Sequence, residues 1–375
     1  MDLLSPKMRT RRSLLINNSL CHGICNYNCT LCGIGKNHYT GPKIYQPLAV
    51  TEKLIREIHI AASRGIHIRG IHQSGIGEPT LHPAFAERLG LFEQMRRDWK
   101  AAVPVPDLVV VTNGSTLLDP DIVSALTTHR VSLAVSFPTP VPEHYGALMM
   151  EDATKGASLL ETVIPGIRAM MEQRAAGRIR ELAFYISPPK RDIIRPDFHR
   201  TIQFLTRQAR DAGLDTLNLV LFVTSFNRTG LVRNRIKTID FYPDFFKRYH
   251  HRTVNDVTVE MITSYKKFYP NLRDVVDLLK NYTFPCLQNG HLLIAADGSS
   301  ICPNDQEARN PFGQILNDSI ESLLIKKERY RPNTTCARCD SAPHQMSESW
   351  TARLYSWIAR ARLRFSRAND SHTQH

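Results

Sequence analysis

Cys25, Cys29 and Cys32 stand in the run Cys25-Asn26-Tyr27-Asn28-Cys29-Thr30-Leu31-Cys32, a C-x3-C-x2-C spacing. Cysteine thiolates are the usual protein ligands of iron–sulfur clusters, and a full set is four. Three thiolates this close in sequence can wrap one face of a cubane cluster and leave one iron without a protein ligand. An open metal position is what chemistry needs, as opposed to structure alone. The same thiols also fit a zinc knuckle or a buried cluster of free cysteines. Cys21 has the wrong spacing for the triad and is read as a buried thiol.

A second candidate follows at Ser74-Gly75-Ile76-Gly77-Glu78-Pro79-Thr80. Glycines permit unusual φ and close backbone approach. A carboxylate and exposed carbonyls can accept hydrogen bonds from an ammonium group. Asn113, in Thr112-Asn113-Gly114, and Ser136 close two further apolar runs, where they also suit ordinary turns. His72, His82 and His291 are candidates for proton transfer but are equally read as structural. Late in the chain, Cys286 and Cys302 flank His291–Ala296 and Asp297-Gly298, a hairpin signal, and Cys336 and Cys339 form a C-x2-C pair. Four such thiolates can ligate one cluster or one zinc completely.

The elements that must position these residues alternate. Apolar, Val- and Ile-rich runs at Ser13–Asn18, Ile66–Gln73, Asp107–Thr112, Arg130–Phe137, Glu181–Ser187 and Thr216–Val223 read as strands. Helical patterns at Val50–Ser63, Pro83–Trp99, Pro120–Thr128, Ser158–Arg174 and Arg195–Ala212 lie between them. The alternation predicts an α/β fold with a parallel sheet and outer helices, a partial barrel of six β/α units. Chemistry in such folds gathers at the C-terminal strand ends, and the triad follows the first strand. The expected organisation is a basic segment at 1–12, a core at 13–229 and a helical connector at 230–281. A cysteine-rich module at 282–345 and a basic amphipathic helix with a disordered tail at 346–375 complete it.

The triad with GxGEP one helix later resembles the radical S-adenosylmethionine (radical SAM) superfamily. The resemblance spans residues 13–225 and, through the late cysteine spacing, 282–340. It implies a [4Fe-4S] cluster on Cys25, Cys29 and Cys32, its open iron chelated by S-adenosylmethionine (SAM). Gly75, Gly77, Glu78 and Pro79 would hold the SAM amino group, and Asn113 and Ser136 its ribose and carboxylate. The family usually has two adjacent glycines, here separated by Ile76, and often an aromatic residue where Leu31 stands. The late cysteines resemble the twitch form of the SPASM module, which implies an auxiliary [4Fe-4S] cluster on Cys286, Cys302, Cys336 and Cys339. The implied activity is reductive SAM cleavage to a 5′-deoxyadenosyl radical, hydrogen abstraction, and net oxidation (dehydrogenation or cross-linking) of a natural-product or peptide substrate. A reductase such as flavodoxin or ferredoxin would supply electrons. With 24 residues before Cys25, no leader-binding domain fits, which points to a small polar metabolite or a separately delivered peptide.

The chain has 375 residues, 42% hydrophobic and 22% charged, which suits a globular protein with a proper core. C-x2-C pairs without a signal peptide indicate metal in a reducing compartment, hence a cytoplasmic location. No run approaches a membrane span. The net charge of +13 suits an anionic partner. It keeps open a nucleic-acid-modifying iron–sulfur enzyme, against which stands the lack of a recognisable RNA-binding module. The third alternative is a non-enzymatic zinc-binding interaction protein.

Overall fold

Six apolar runs become the parallel centre of one sheet, in the order β1 (Leu14–Asn18), β4 (Ile68–Gln73), β5 (Asp107–Thr112), β6 (Ser132–Ser136), β7 (Glu181–Ile186) and β8 (Thr216–Leu221). The computed structural model describes residues 14–30, 32, 41–186, 191–221, 248–263, 290–302, 311–329 and 357. Strand β1 (Leu14–Asn18) leads to a small two-stranded sheet of β2 (Cys21–His22) and β3 (Ile44–Tyr45), and then to helix α1 (Leu48–Ser63). β4 (Ile68–Gln73), α2 (Phe85–Arg97), β5 (Asp107–Thr112), α3 (Pro120–Thr128) and β6 (Ser132–Ser136) continue the alternation. After β6 come α4 (Pro142–Met149), α5 (Gly156–Ala175), β7 (Glu181–Ile186), α6 (Arg191–Asp211) and β8 (Thr216–Leu221).

The local reasons are legible. Asp119 caps α3, its carboxylate accepting from Asp121 N at 2.9 Å, and Pro120 sits where a missing N–H costs nothing. Ile16, Ile71, Val110, Leu133, Phe184 and Leu219, one from each central strand, are buried in a single core with the helices' apolar faces. At about 25 cal/mol per Å2 such side chains contribute roughly 1.5–3 kcal/mol each, which holds the helices on the sheet.

The sheet extends beyond these six strands at both edges. On one side β10 (Val257–Thr263) pairs parallel with β8, and β9 (Arg252–Val254) pairs antiparallel with β10. Residues 252–263, inside the expected helical connector, are therefore a hairpin. The alternating β-branched residues of Val257-Thr258-Val259-Glu260-Met261-Ile262 favour a strand over a helix.

On the other side β11 (His291–Ile294), β12 (Ser299–Ile301) and β13 (Gly313–Gln314) follow, and helix α7 (Ile320–Arg329) closes the described segment. The expected hairpin forms across Asp297-Gly298, with Gly298 at φ +85° and Asp297 Oδ1 accepting from Ser299 N at 2.8 Å. Its first strand pairs parallel with β1, Ile16 opposite Leu292. The late hairpin thus extends the central sheet. Cys286, Cys336 and Cys339 lie outside the described residues, as does the segment 346–375 expected to hold a basic amphipathic helix, except Trp357, which is exposed. Among the described residues, no helix is long and apolar enough to cross a membrane.

Candidate active site

The C-terminal ends of β1, β4 and β5 meet, and two loops leave them already bonded together. From β1, Ser19 turns the chain: its hydroxyl donates to Cys21 O at 2.8 Å and accepts from Ile76 N at 3.2 Å. Gly23 N donates to Ile76 O at 2.7 Å, and Glu78 N donates to Ile24 O at 2.8 Å. The cysteine loop and the Gly75–Pro79 segment are therefore one backbone-bonded unit. Gly77 has to be glycine here, because a Cβ would lie 2.5 Å from Cys21 O and 2.7 Å from Ile24 O. Gly75 has φ +128°, which L side chains rarely adopt.

Glu78 is buried and its carboxylate is engaged. Oε1 accepts from Thr80 N at 3.2 Å and Thr80 Oγ1 at 2.7 Å, and Oε2 accepts from Asn113 N at 2.8 Å. Burial raises its pKa, while these donors act to lower it. Three protein donors make Glu78 a brace between β4 and β5, with some acceptor capacity left for an ammonium group. Pro79 begins the 3-10 turn Pro79–Leu81 just beyond it.

Asn113 has partners in the cysteine loop itself. Its Nδ2 donates to Asn26 Oδ1 at 2.9 Å and lies 3.7 Å from Cys25 Sγ, within hydrogen-bond reach of sulfur. Tyr27 N also donates to Cys25 Sγ, at 3.4 Å. Asn26 Nδ2 donates to Ser115 Oγ at 2.8 Å, so the third strand end grips the cysteine loop. Ser136 lies half-buried at the end of β6.

The far side of the loop rests on α4. Asn28 N and Thr30 N donate to Met149 O and Leu148 O, both at 2.9 Å. Met149 Sδ is 3.9 Å from Cys29 Sγ, and Tyr145 is fully buried beneath. α4 is held in turn by the buried Asp197 of α6, whose Oδ2 lies 2.5 Å from His144 Nδ1 and accepts from Thr139 Oγ1 at 2.9 Å. Neither α4 nor Asn26 was expected from the sequence to matter. The signal for α4 was Pro142-Glu143, a proline and an acid in a first turn.

The three thiols sense one another. Burial raises Cys25 to about 12, with Glu78 and Cys32 adding to it while the Tyr27 and Asn113 donors pull the other way. Cys29 is pushed well above the thiol range by burial, then by Cys32 and Cys25. Cys32 packs against Ile76, Leu293, Ala295 and Ile301. With Cys25 and Cys29 desolvated and Cys32 beside them, the three thiols cannot all ionise alone; a bound cationic centre removes that penalty, since coordinating thiols are deprotonated outright. The donor set therefore fits a metal cluster. Cys21 is buried on β2, its thiol raised to about 12 by burial.

The remaining candidates separate. Cys302 follows β12 and is half-buried. His82 Nε2 is 3.2 Å from Gln46 O, a structural contact. His72, on β4, is lowered to about 4 by burial and then by Arg69. His291 Nε2 lies 3.4 Å from an Arg69 nitrogen.

No family model matches the chain, and no curated protein matches it by sequence. Solved structures do match. The crystal structure of Streptococcus suis SuiB bound to S-adenosylmethionine aligns with a TM-score of 0.53 and 11% identity, over 88% of this chain and 69% of that one. Native anSMEcpe with bound AdoMet aligns with a TM-score of 0.50 and 14% identity, over 96% of this chain and all of that one (100%). What the chain shares with both is the fold, a mixed α/β architecture on a parallel sheet, which is the fold that the radical SAM resemblance implies.

Proposed function

We propose that this chain is a radical SAM enzyme, with a cluster held by Cys25, Cys29 and Cys32 at the C-terminal ends of β1, β4 and β5. The observation that carries the reading is the bonded union of the cysteine loop with the Gly75–Pro79 loop, through Gly23 N to Ile76 O and Glu78 N to Ile24 O. Two motifs that sequence reading links only by order are joined in space. The solved structures named above, both with SAM bound, support the reading through their shared fold.

When bound, the cluster supplies one electron for reductive cleavage of SAM, from which substrate hydrogen abstraction follows. The chain's own residues do the rest. Cys25, Cys29 and Cys32 ligate, and Asn113 and Tyr27 N place N–H groups against the Cys25 sulfur. The Gly75–Pro79 backbone and the remaining acceptor capacity of Glu78 receive the SAM ammonium group, with Asn113 and Ser136 bordering its ribose and carboxylate. Ile76, Leu293, Ala295 and Ile301 keep water from the Cys32 side. We infer further that Cys286, Cys302, Cys336 and Cys339 would hold an auxiliary [4Fe-4S] cluster, which would supply an electron acceptor for the reaction. The net reaction is then an oxidation of a small polar metabolite or a peptide, with a flavodoxin or ferredoxin as electron donor.

Anaerobic purification followed by iron and sulfide counting, then dithionite with SAM, tests this. About eight irons per chain and formation of 5′-deoxyadenosine, both reduced by alanine at Cys25, Cys29 or Cys32, is the expected result. Zinc without sulfide ends the radical reading.

A further inference from the structure

β9 and β10 are joined by Asn255-Asp256, both at positive φ (50° and 64°), as in a type I′ turn. The pairing of Val257 with Val254, Thr258 with Thr253 and Val259 with Arg252 ends in a bulge, because His251 N donates to Val259 O at 2.9 Å and so sets both His251 and Arg252 against Val259. The bulge leaves the His251 side chain beside Glu260. His251 has φ +57°, so the chain turns sharply there and the His250 ring folds back over the strand end. His250 Nδ1 accepts from Met261 N at 3.1 Å, and its ring centre lies 3.7 Å from that of His251. Both imidazoles face one carboxylate: His251 Nδ1 is 2.8 Å from Glu260 Oε1, and His250 Nδ1 is 3.9 Å from Oε2.

One ligand atom from each of the three residues can be chosen so that all lie within 4.8 Å of one another. A tetrahedral ion with bonds of about 2.1 Å sets its ligands about 3.4 Å apart, a difference that small side-chain rotations close. Two imidazole nitrogens and one carboxylate oxygen are the donors of zinc sites that keep a fourth position open. We propose that His250, His251 and Glu260 form a site for a divalent cation of the zinc class, with its fourth position toward solvent. Six strand-to-strand steps separate β10 from β1, on the order of 30 Å along the sheet, so the site is distinct from the cysteine loop. An ion there clamps the turn that leads into β9 onto β10, at the edge of the sheet among the described residues.

The surroundings set the strength. His251 is exposed, and Arg248 and Arg252 flank the histidines with charge that opposes a cation. Ligation through His250 Nδ1 would displace the Met261 N–H. Binding is therefore weaker than in closed structural zinc sites, roughly micromolar.

The experiment uses the full chain, without a polyhistidine tag, its cysteines loaded anaerobically with iron and sulfide. Zn2+ is titrated against a chromophoric chelator into the wild type, the double variant H250A/H251A and Glu260→Gln. The expected result is one zinc more per wild-type chain than per double variant, and an affinity loss in Glu260→Gln of at least tenfold. Loss of an outer-shell partner alone weakens metal binding about 10–100-fold, so removing two direct ligands must weaken it further. Zinc should also raise the unfolding temperature of the wild type and not that of the double variant. Equal zinc uptake by wild type and both variants overturns the proposal, as does no uptake by the wild type at tens of micromolar free zinc. Should the double variant fail to fold, Glu260→Gln decides alone, since the amide preserves the side chain's shape. Cysteines that take up zinc instead of iron would sink the radical reading and leave this comparison intact.

Discussion

Replacing Gly77 by alanine tests the union of the two loops directly. The added methyl would sit 2.5 Å from Cys21 O, 2.7 Å from Ile24 O and 2.9 Å from Cys21 C. All three are backbone atoms, so no side chain can swing away. Reaching an ordinary 3.4 Å contact requires the loops to part by roughly 0.7–0.9 Å. The bonds that flank Gly77, Gly23 N to Ile76 O at 2.7 Å and Glu78 N to Ile24 O at 2.8 Å, cannot both survive that movement. Overpacking of this kind costs about 1–3 kcal/mol, and each lost bond adds about 1 kcal/mol, for a total of roughly 2–5 kcal/mol. The strain lands one residue before Cys25. A misplacement near 1 Å can cost about a hundredfold in rate. The assay pairs iron and sulfide counts after anaerobic reconstitution with 5′-deoxyadenosine formed from SAM under dithionite. Gly77→Ala should lose iron from the three-cysteine site and drop SAM cleavage by about two orders of magnitude. Gly90→Ala is the control: its Cβ meets only the His129 ring, at 3.5 Å, and a helical alanine should be neutral or stabilising by up to about 1 kcal/mol. A Gly77→Ala protein with wild-type iron content and full SAM cleavage would refute the reasoning.

Asn113→Leu removes the side-chain donor from Cys25 Sγ, and since hydrogen bonds to cluster sulfurs tune potential, the reduction potential should fall by tens of millivolts in an EPR-monitored titration. Asn26→Ala, which deletes only the neighbouring brace, should lower the unfolding temperature and leave the potential nearly unchanged. His72, lowered to about 4 from an ordinary value near 6.5, stays neutral in the fold while the unfolded chain protonates. Stability should therefore fall as pH drops from about 6.5 toward 4, by about 1–2 kcal/mol from this half-buried ring, and His72→Gln should show the flatter profile in thermal unfolding. Asp256→Gly relieves a positive φ in the β9–β10 turn and should raise stability by about 0.5–1 kcal/mol, measured as a higher unfolding temperature. Leu293→Ala opens the apolar wall beside Cys32 and should cost about 2–5 kcal/mol and speed oxygen-driven bleaching of the cluster, followed by visible absorbance.

What could be read from the sequence was local. The C-x3-C-x2-C spacing, the glycines of the Gly75–Glu78 segment and the alternation of apolar runs each announce themselves within a few residues. The Asp297-Gly298 turn did so too. What stayed hidden depends on partners distant in the chain. The run His291–Ile294 looks like any short strand, and nothing in it tells that it will lie parallel to Leu15–Asn18. Asn113 looks like a turn residue; only the fold brings it to Cys25. Gly146 reads as a helix breaker inside α4, yet its Cβ would stand 2.4 Å from Asp152 O, so glycine is what lets the chain pass close. The Asn255-Asp256 turn carries a local signal too, since Asn and Asp tolerate the positive φ that a tight hairpin between β-branched runs requires.

The placement of the late hairpin bears on how the two groups of cysteines could act together. Ser19 N donates to Ile294 O at 2.9 Å, so the residue that shapes the cysteine loop is itself anchored on β11. Gly75 lies so close to this hairpin that a Cβ would come within 3.0 Å of Leu293 Cδ1. Leu293, Ala295 and Ile301 cover Cys32 and Ile76. The segment that carries Cys302 is therefore also a wall of the first site, sharing its backbone bonds and its apolar lining. A change that loosens β11 must reach the Cys25–Cys32 loop through Ser19 and Ile76 whether or not the late cysteines hold metal. Loss of SAM cleavage in a β11 variant would then report on the wall, and only substitution of Cys286, Cys302, Cys336 or Cys339, with iron counted at both sites, separates the wall from a second cluster.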